Sequence, residues 1–247
     1  MSIPNTKYID VSRSEGTEID QLLELISLFV HDLEGPLAAM QAILRLLEND
    51  RLDLNRKNHV DLVKSSEVAM ERARAIIGDL MFISKSGQMG IPVMMETVPF
   101  KQLIENSLEL ISSTADEQDI RVVVNHPDRD YVVAADPGLL LRVMDNLLYN
   151  AIRHSPPDGE IIITGVARKG YLIVTIADQG PGFNDFDPNE LFDKFRQLEL
   201  RKEGKHRGVG LGLFFCNQAI SAMGGKIWAQ GRPKGGAEFK FTLKIEE

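Results

Sequence analysis

The chain has 247 residues, with 36 acidic against 28 basic side chains and a net charge of -8. That balance argues against a nucleic-acid binder, whose usual mark is a basic footprint. The one cysteine, Cys216, excludes an intrachain disulfide and suits a reducing, cytoplasmic setting.

Residues 1–16 are polar and patternless and read as a flexible arm. No apolar run approaches the length that crosses a bilayer, and nothing at the N-terminus reads as a signal peptide, so no membrane insertion is expected. "TEID" then offers a capping pattern, with Thr17 at the N-cap and Asp20 three residues on. Apolar residues follow at Ile19, Leu23, Ile26, Val30, Leu33, Leu37, Met40, Leu44 and Leu47. Steps that alternate four and three make a heptad seam. "ENDRLDLN" breaks it as a turn, and a second seam runs through Leu62, Ser66, Ala69, Ala73, Ile76, Leu80 and Ile83. Two long helices and a short turn predict an antiparallel hairpin over 17–87. Stripes this long leave apolar surface uncovered on a lone hairpin, which predicts a four-helix bundle made by two chains.

"HDLEGPL" (31–37) sits inside the first seam. Glycine costs about 1 and proline about 3 kcal/mol relative to alanine in a helix interior. Pro36 lacks an N–H, and its ring clashes with the carbonyl of residue 32. The seam nonetheless passes through Leu33 and Leu37 in register, so a continuous, loosened helix is expected. At about 100° per residue, His31 lies roughly 130° from the seam centre set by Val30 and Leu33, and so faces outward beside Asp32.

"SKSGQMGIP" (84–92) marks a change of pattern, and residues 88–95 are read as a linker and hinge. The remainder, 96–247, alternates. "FKQLIENSLELISSTADEQ" is helical, "IRVVVNH" and "YVVAAD" are strand-like, and a helix opens at Pro137. "GEIIITGVAR" and "YLIVTIAD" are strands joined by a Lys-Gly turn. Residues 179–210 are long, glycine-punctuated and aperiodic, and stretches of this kind are usually functional. A short helix over about 211–223 and the strands "KIWAQ" and "AEFKFTLKI" close the chain. The order predicts an α/β sandwich with one sheet covered by helices.

Four stretches of this second region carry chemistry. "DNLLYNAIRHS" puts Asn146, Asn150 and Arg153 on one helical face, with His154 beside them. Amide oxygens suit Mg2+, and a guanidinium suits phosphate. "DQGPGF" brings Asp178, Gly180 and Gly182 to a strand end, where a carboxylate can accept from an exocyclic amine and glycines admit a base close to the backbone. "GVGLGL" sets Gly208, Gly210 and Gly212 before a helix whose N–H groups can cradle phosphate. "LFDKF" adds Phe192 and Phe195, read as core anchors.

These motifs together resemble those of two-component sensor histidine kinases, over about residues 17–247. "FVHDLEGPL" is similar to the family's H box and "DNLLYNAIRHS" to its N box. "DQGPGF" is similar to its first glycine box, "LFDKF" to its F box and "GVGLGL" to its second glycine box. The resemblance implies a dimerising, histidine-phosphotransfer hairpin joined to a GHKL (Bergerat) ATPase domain. It implies ATP and Mg2+ as cofactors, a homodimer through the hairpin and the receiver domain of a response regulator as partner. By position, His31 would be the phosphoacceptor and Asp32 the base for its imidazole, reached by rotamer choice since helix neighbours do not face each other. Asn150 would hold Mg2+ with Asn146 beside it, and Arg153 and His154 would contact the nucleotide. Asp178, with Gly180 and Gly182, would recognise adenine. Gly208, Gly210, Leu211 and Gly212 would line the nucleotide site, and the loop from Asp178 to Gly210 would be the lid.

Three positions depart from the pattern. Gly35 stands where the family's bifunctional members carry Thr or Asn, so phosphatase activity is expected to be weak. Glu34 replaces an Arg, and Gln197 stands where many members place a phosphate-contacting Arg, for which Arg196, Lys205 or Arg207 could substitute. Residues 1–16 are too short for a sensor, so the signal is expected from a separate protein or from a longer chain. Two alternatives are a phosphotransfer scaffold that does not bind ATP, and a GHKL ATPase outside signalling. The second would not need a hairpin carrying His-Asp.

Overall fold

The computed structural model describes residues 11–49, 53, 55–86, 91–125, 127, 129–183, 187–193, 211–233 and 235–246. The chain forms two compact units, Met1–Met81 and Phe82–Glu247.

The first unit holds α1 (Val11–Glu48) and most of α2 (Lys57–Ser86), the boundary falling between Met81 and Phe82. Pro36 lies inside α1, and the helix runs through Gly35-Pro36 without a break. The start at Val11 differs from the Thr17 cap that the sequence pattern marks: Gly16 and Thr17 cost a helix interior about 1 kcal/mol or less apiece. Between the helices, the Asp53 carboxylate accepts from the Asn55 backbone N–H, and the Asp53 N–H donates to His59 Nδ1 at 3.0 Å. Ser66, buried on α2, donates its hydroxyl to the Ala39 carbonyl of α1 at 3.2 Å. On α1 the shielded residues beside that bond are Pro36, Ala39, Ile43 and Leu46. The seam read from the sequence lies on a neighbouring stripe: Leu33 and Met40 are half-buried, while Ile26, Val30, Leu37, Leu44 and Leu47 are exposed. The helix thus has two apolar edges, and periodicity alone merges them into one.

The second unit is a mixed sheet with helices on one face. Its strands are β1 (Glu96–Pro99), β2 (Arg121–Asn125), β3 (Val132–Ala135), β4 (Glu160–Arg168), β5 (Tyr171–Ala177), β6 (Ile227–Gly231) and β7 (Ala237–Glu246). The order is β1-β3-β7-β5-β4-β2. β6 shares with β3 the other edge of β7, pairing Ile227 with Phe241 and Gly231 with Ala237. Among the described residues only β2 and β4 pair in parallel; the other pairs are antiparallel. The β4–β5 turn is Lys169-Gly170, with φ of 52° and 79°, the left-handed pair that a two-residue hairpin requires.

Helices α3 (Phe100–Glu117), α4 (Pro137–His154) and α5 (Leu211–Ala222) supply the apolar stripe that covers the sheet. Ile161, Ile163, Leu172, Val174, Ile176, Phe239, Phe241 and Leu243 alternate inward and are buried, together with Leu140, Val143, Met144, Leu147 and Leu148 of α4. α4 opens on Pro137, and the Asp136 carboxylate caps it by accepting from the Leu139 N–H at 3.0 Å. The same carboxylate accepts from Met94 at 2.9 Å and so ties the residues before β1 to the start of α4.

Candidate functional site

The site forms where α4, the end of β5, the start of β7 and the first turn of α5 converge. Asp178 follows the last residue of β5 and is 3% exposed. Its backbone N–H donates to the Ala237 carbonyl at 2.9 Å. Its Oδ1 accepts from the Ala237 N–H at 3.0 Å and from the Gly180 N–H at 2.8 Å. The Arg232 guanidinium donates to the Asp178 carbonyl at 2.5 Å. Gly236, at φ 96°, lets its backbone lie against that carbonyl; a Cβ there would run into the oxygen. Arg232 and Gly236 belong to the β6–β7 turn, which thereby grips the carboxylate-bearing strand end.

A buried carboxylate in this position is electrostatically costly. Burial raises the Asp178 pKa above its ordinary 3.8, against the N–H groups of Ala237 and Gly180 and the positive charges of His154 and Arg232. His154 is shifted the other way: burial and then Arg153 lower it from 6.5, opposed by Asp178. The two groups meet through the Asp178-Gln179-Gly180 turn. A Cβ on Gly180 would stand 2.5 Å from the His154 carbonyl, so only glycine lets the turn pass the C-terminal end of α4.

Asn146, Asn150, Arg153 and His154 all lie on α4. Asn146, Asn150 and His154 are half-buried and Arg153 is exposed. The Asn146 amide donates to the Arg142 carbonyl at 2.9 Å. A Cβ on Gly212 would stand 2.5 Å from Asn146 Oδ1, so the first turn of α5 packs directly on this asparagine. Among the described residues nothing hydrogen-bonds the Asn150 carboxamide. Gly182, at φ 72°, fits against the Gly236 carbonyl. Asp178, Gly180 and Gly182 are therefore brought together at the start of β7 and the end of α4, and Asn146 is brought against Gly212.

Other predicted residues are placed more sparsely. His31 and Asp32 are adjacent in α1. Leu211 opens α5. Gly208 and Gly210 lie outside the described residues, as do Phe195, Arg196, Gln197, Lys205 and Arg207. Phe192 ends a 3-10 turn over Pro188–Phe192 and is buried as a core anchor. It meets Phe239 edge-on at 6.4 Å, and Phe183 meets the same ring at 5.8 Å. Sequence reasoning passed over Arg232 and Gly236, which carry no local signal, and Arg142, which does: it stands four residues before Asn146 on the same helical face.

The second unit is thus a helix-covered mixed sheet with a buried carboxylate at a strand end, and one covering helix carries Asn146 and Asn150. Residues 135–247 match the histidine kinase-, DNA gyrase B- and HSP90-like ATPase family. The chain is 26% identical over 240 residues to the sensor histidine kinase WalK of Bacillus subtilis, covering 96% of this chain and 39% of that one. It is 30% identical over 229 residues to the adaptive-response sensory kinase SasA of Nostoc sp., covering 90% of this chain and 57% of that one. The chain thus spans well under two thirds of these relatives' lengths. Among solved structures, full-length ShkA in complex with AMPPNP is 26% identical with a TM-score of 0.63, over 90% of this chain and 45% of that one. The relatives that the chain resembles along most of its length are sensor histidine kinases, and its residues 135–247 match the ATPase family. The match begins at Ala135, the last residue of β3, yet β1, β2 and α3 belong to the same folded unit. Among the described residues no helix is long and apolar enough to cross a membrane.

Proposed function

We propose that this chain is an ATP-dependent protein-histidine kinase that phosphorylates itself on His31 and passes the phosphoryl group to an aspartate of a response-regulator receiver domain. The observation that carries the reading is the buried, doubly hydrogen-bonded Asp178, whose turn abuts the end of α4, the helix that carries Asn146 and Asn150; it suits a purine at that end and phosphates along α4. Asn150 fits a hard cation, because its half-buried amide has no partner among the described residues. It would hold Mg2+, which offsets charge on the phosphates. Arg153 serves the same phosphates as a guanidinium.

In the reaction, the neutral imidazole of His31 attacks the γ-phosphorus. An N–P bond forms as the bond to the β,γ-bridging oxygen breaks, ADP leaves, and the imidazole proton passes to Asp32. Histidine suits the step because its free pKa near 6.5 keeps the nucleophile populated at neutral pH. Residues 88–95 act as the hinge between the 17–87 hairpin and the 96–247 catalytic region. The uncovered α1 stripe supports a homodimer through the hairpin. The protein works in the cytoplasm and takes its signal from a separate sensor protein or from further parts of its own chain.

Incubation with labelled ATP and Mg2+ tests the reaction. Acid-labile, alkali-stable label is expected on the wild type and lost in both His31→Ala and Asn150→Ala. Stable label that survives His31→Ala ends the reading. The phosphatase half has its own test. Gly35 is exposed, and nothing lies within 4 Å of where its Cβ would be, so Thr or Asn would fit there and their water-orienting group is simply lacking. The wild type is therefore expected to leave the lifetime of the regulator's aspartyl phosphate unchanged. A clear shortening of that lifetime by the wild type overturns this half.

A further inference from the structure

The nucleotide reading leaves one cation on α4 without an assigned role. Arg142 stands four residues before Asn146, which stands four before Asn150, with Arg153 three further on. At about 100° per residue these four fall within roughly 80° of one another around the helix. Arg142 and Arg153 therefore bracket the two asparagines on a single face. The guanidinium of Arg142 lies over the Phe215 ring of α5, 4.0 Å from its centroid, while the Arg142 carbonyl accepts from the Asn146 amide. Gly212 of α5 packs against that same amide. Arg142 is thus held beside the first turn of α5 by contacts independent of Asp178.

The direction of the nucleotide along α4 follows from Asp178. The Asp178-Gly180 turn abuts the C-terminal end of α4 at the His154 carbonyl, so the base sits at that end. Asn150, Asn146 and Arg142 then follow toward the N-terminal end, at about 1.5 Å of rise per residue. A polyphosphate laid from the base along this face passes Asn150 and Asn146 before it reaches Arg142. Stacking engages the face of a guanidinium, and its N–H donors lie in the plane, the edge a phosphate oxygen takes.

We infer that Arg142 contacts the terminal phosphate of the bound nucleotide, so that α4 itself supplies the cation that many relatives place after the F box, where this chain has Gln197. The inference rests on the nucleotide reading and deepens it.

Binding of ATP and of ADP, each with Mg2+, to the full chain tests it by calorimetry. Arg142→Gln is expected to weaken ATP by about tenfold and ADP by less than about twofold, the loss of one charge-assisted contact made only by the γ-phosphate. Arg142→Lys keeps the charge and is expected to restore most of the ATP affinity, which separates the contact from a structural role in the α4–α5 packing. Equal weakening of both nucleotides by Arg142→Gln, or no weakening of either, overturns the inference alone. Failure of the wild type to bind either nucleotide overturns the nucleotide reading and the inference with it.

Discussion

Asp178→Asn is expected to weaken ATP binding by about a hundredfold or more while the domain stays folded and no less stable. The substitution is isosteric, and an amide oxygen can take over the acceptor position of Oδ1. The bonds from the Gly180 N–H at 2.8 Å and the Ala237 N–H at 3.0 Å therefore survive. The other atom, however, changes from an acceptor to a donor. An exocyclic amine of adenine then meets an amide N–H in a buried site, and one donor is left unpaired. Titration of ATP into wild type and variant decides the matter. ATP affinity in Asp178→Asn within about threefold of wild type would remove the carboxylate from the base-recognition role.

The stability half follows from linkage. The folded-state pKa of Asp178 is raised above its ordinary 3.8, chiefly by burial, so the folded chain binds this proton more tightly than the unfolded one. The group's contribution to stability is fully present below 3.8 and is lost as pH rises through the folded-state value. At neutral pH the wild type thus carries the cost of a buried charge that the asparagine lacks. His154 runs in the opposite sense: its pKa is lowered from 6.5, so its contribution is present above 6.5 and is lost as pH falls through the lowered value. Asp178 is the charge that opposes this lowering, and its removal deepens the acid loss in the variant. Both effects make the melting-temperature gain of Asp178→Asn over wild type grow from acid to neutral pH. A gain that shrinks over that range would contradict the assignment of burial as the dominant influence on this carboxyl.

Which features were legible in the sequence follows from the range of the interactions that create them. The start of α4 was legible because Pro137 opens it and an apolar stripe runs along it, both local signals. β4 and β5 were equally plain from alternation and the Lys-Gly turn. β1 was missed: four residues ending in Pro99 and mostly exposed have no periodicity to show, and pairing with β3 alone makes them a strand. In the site, Asp178, Asn146 and Asn150 stand in short motifs that report their own chemistry. Arg232 does not, because its partner carbonyl lies 54 residues away and meets it only through the β5–β7 register. Arg142 is an intermediate case. Its spacing from Asn146 was visible, but only the contact with Phe215 of α5 gives that spacing a meaning.

Charging the outer stripe of α1 with Leu37→Glu and Leu44→Glu together is expected to dissolve the proposed homodimer. Leu37 and Leu44 are 51% and 56% exposed on the single chain, and Val30, one heptad before Leu37, is 56% exposed. Leucines at seven-residue spacing on one edge of a helix, when its other edge is already shielded around Pro36 and Ala39, describe a surface built to meet another helix. Burying each side chain is worth about 1.5–3 kcal/mol. In a symmetric dimer every substitution counts twice, so the double variant puts four carboxylates into the interface in place of four leucines. Sedimentation should show the wild type at about twice 27.6 kDa and the variant at 27.6 kDa. ATP affinity supplies the control, because Asp178, Asn146, Asn150 and Gly212 all belong to Phe82–Glu247, and it should stay within about twofold. A wild type that sediments as a monomer would refute the homodimer directly. A double variant that remains dimeric would move the interface off this stripe, and an α1 edge of exposed leucines would then need another occupant.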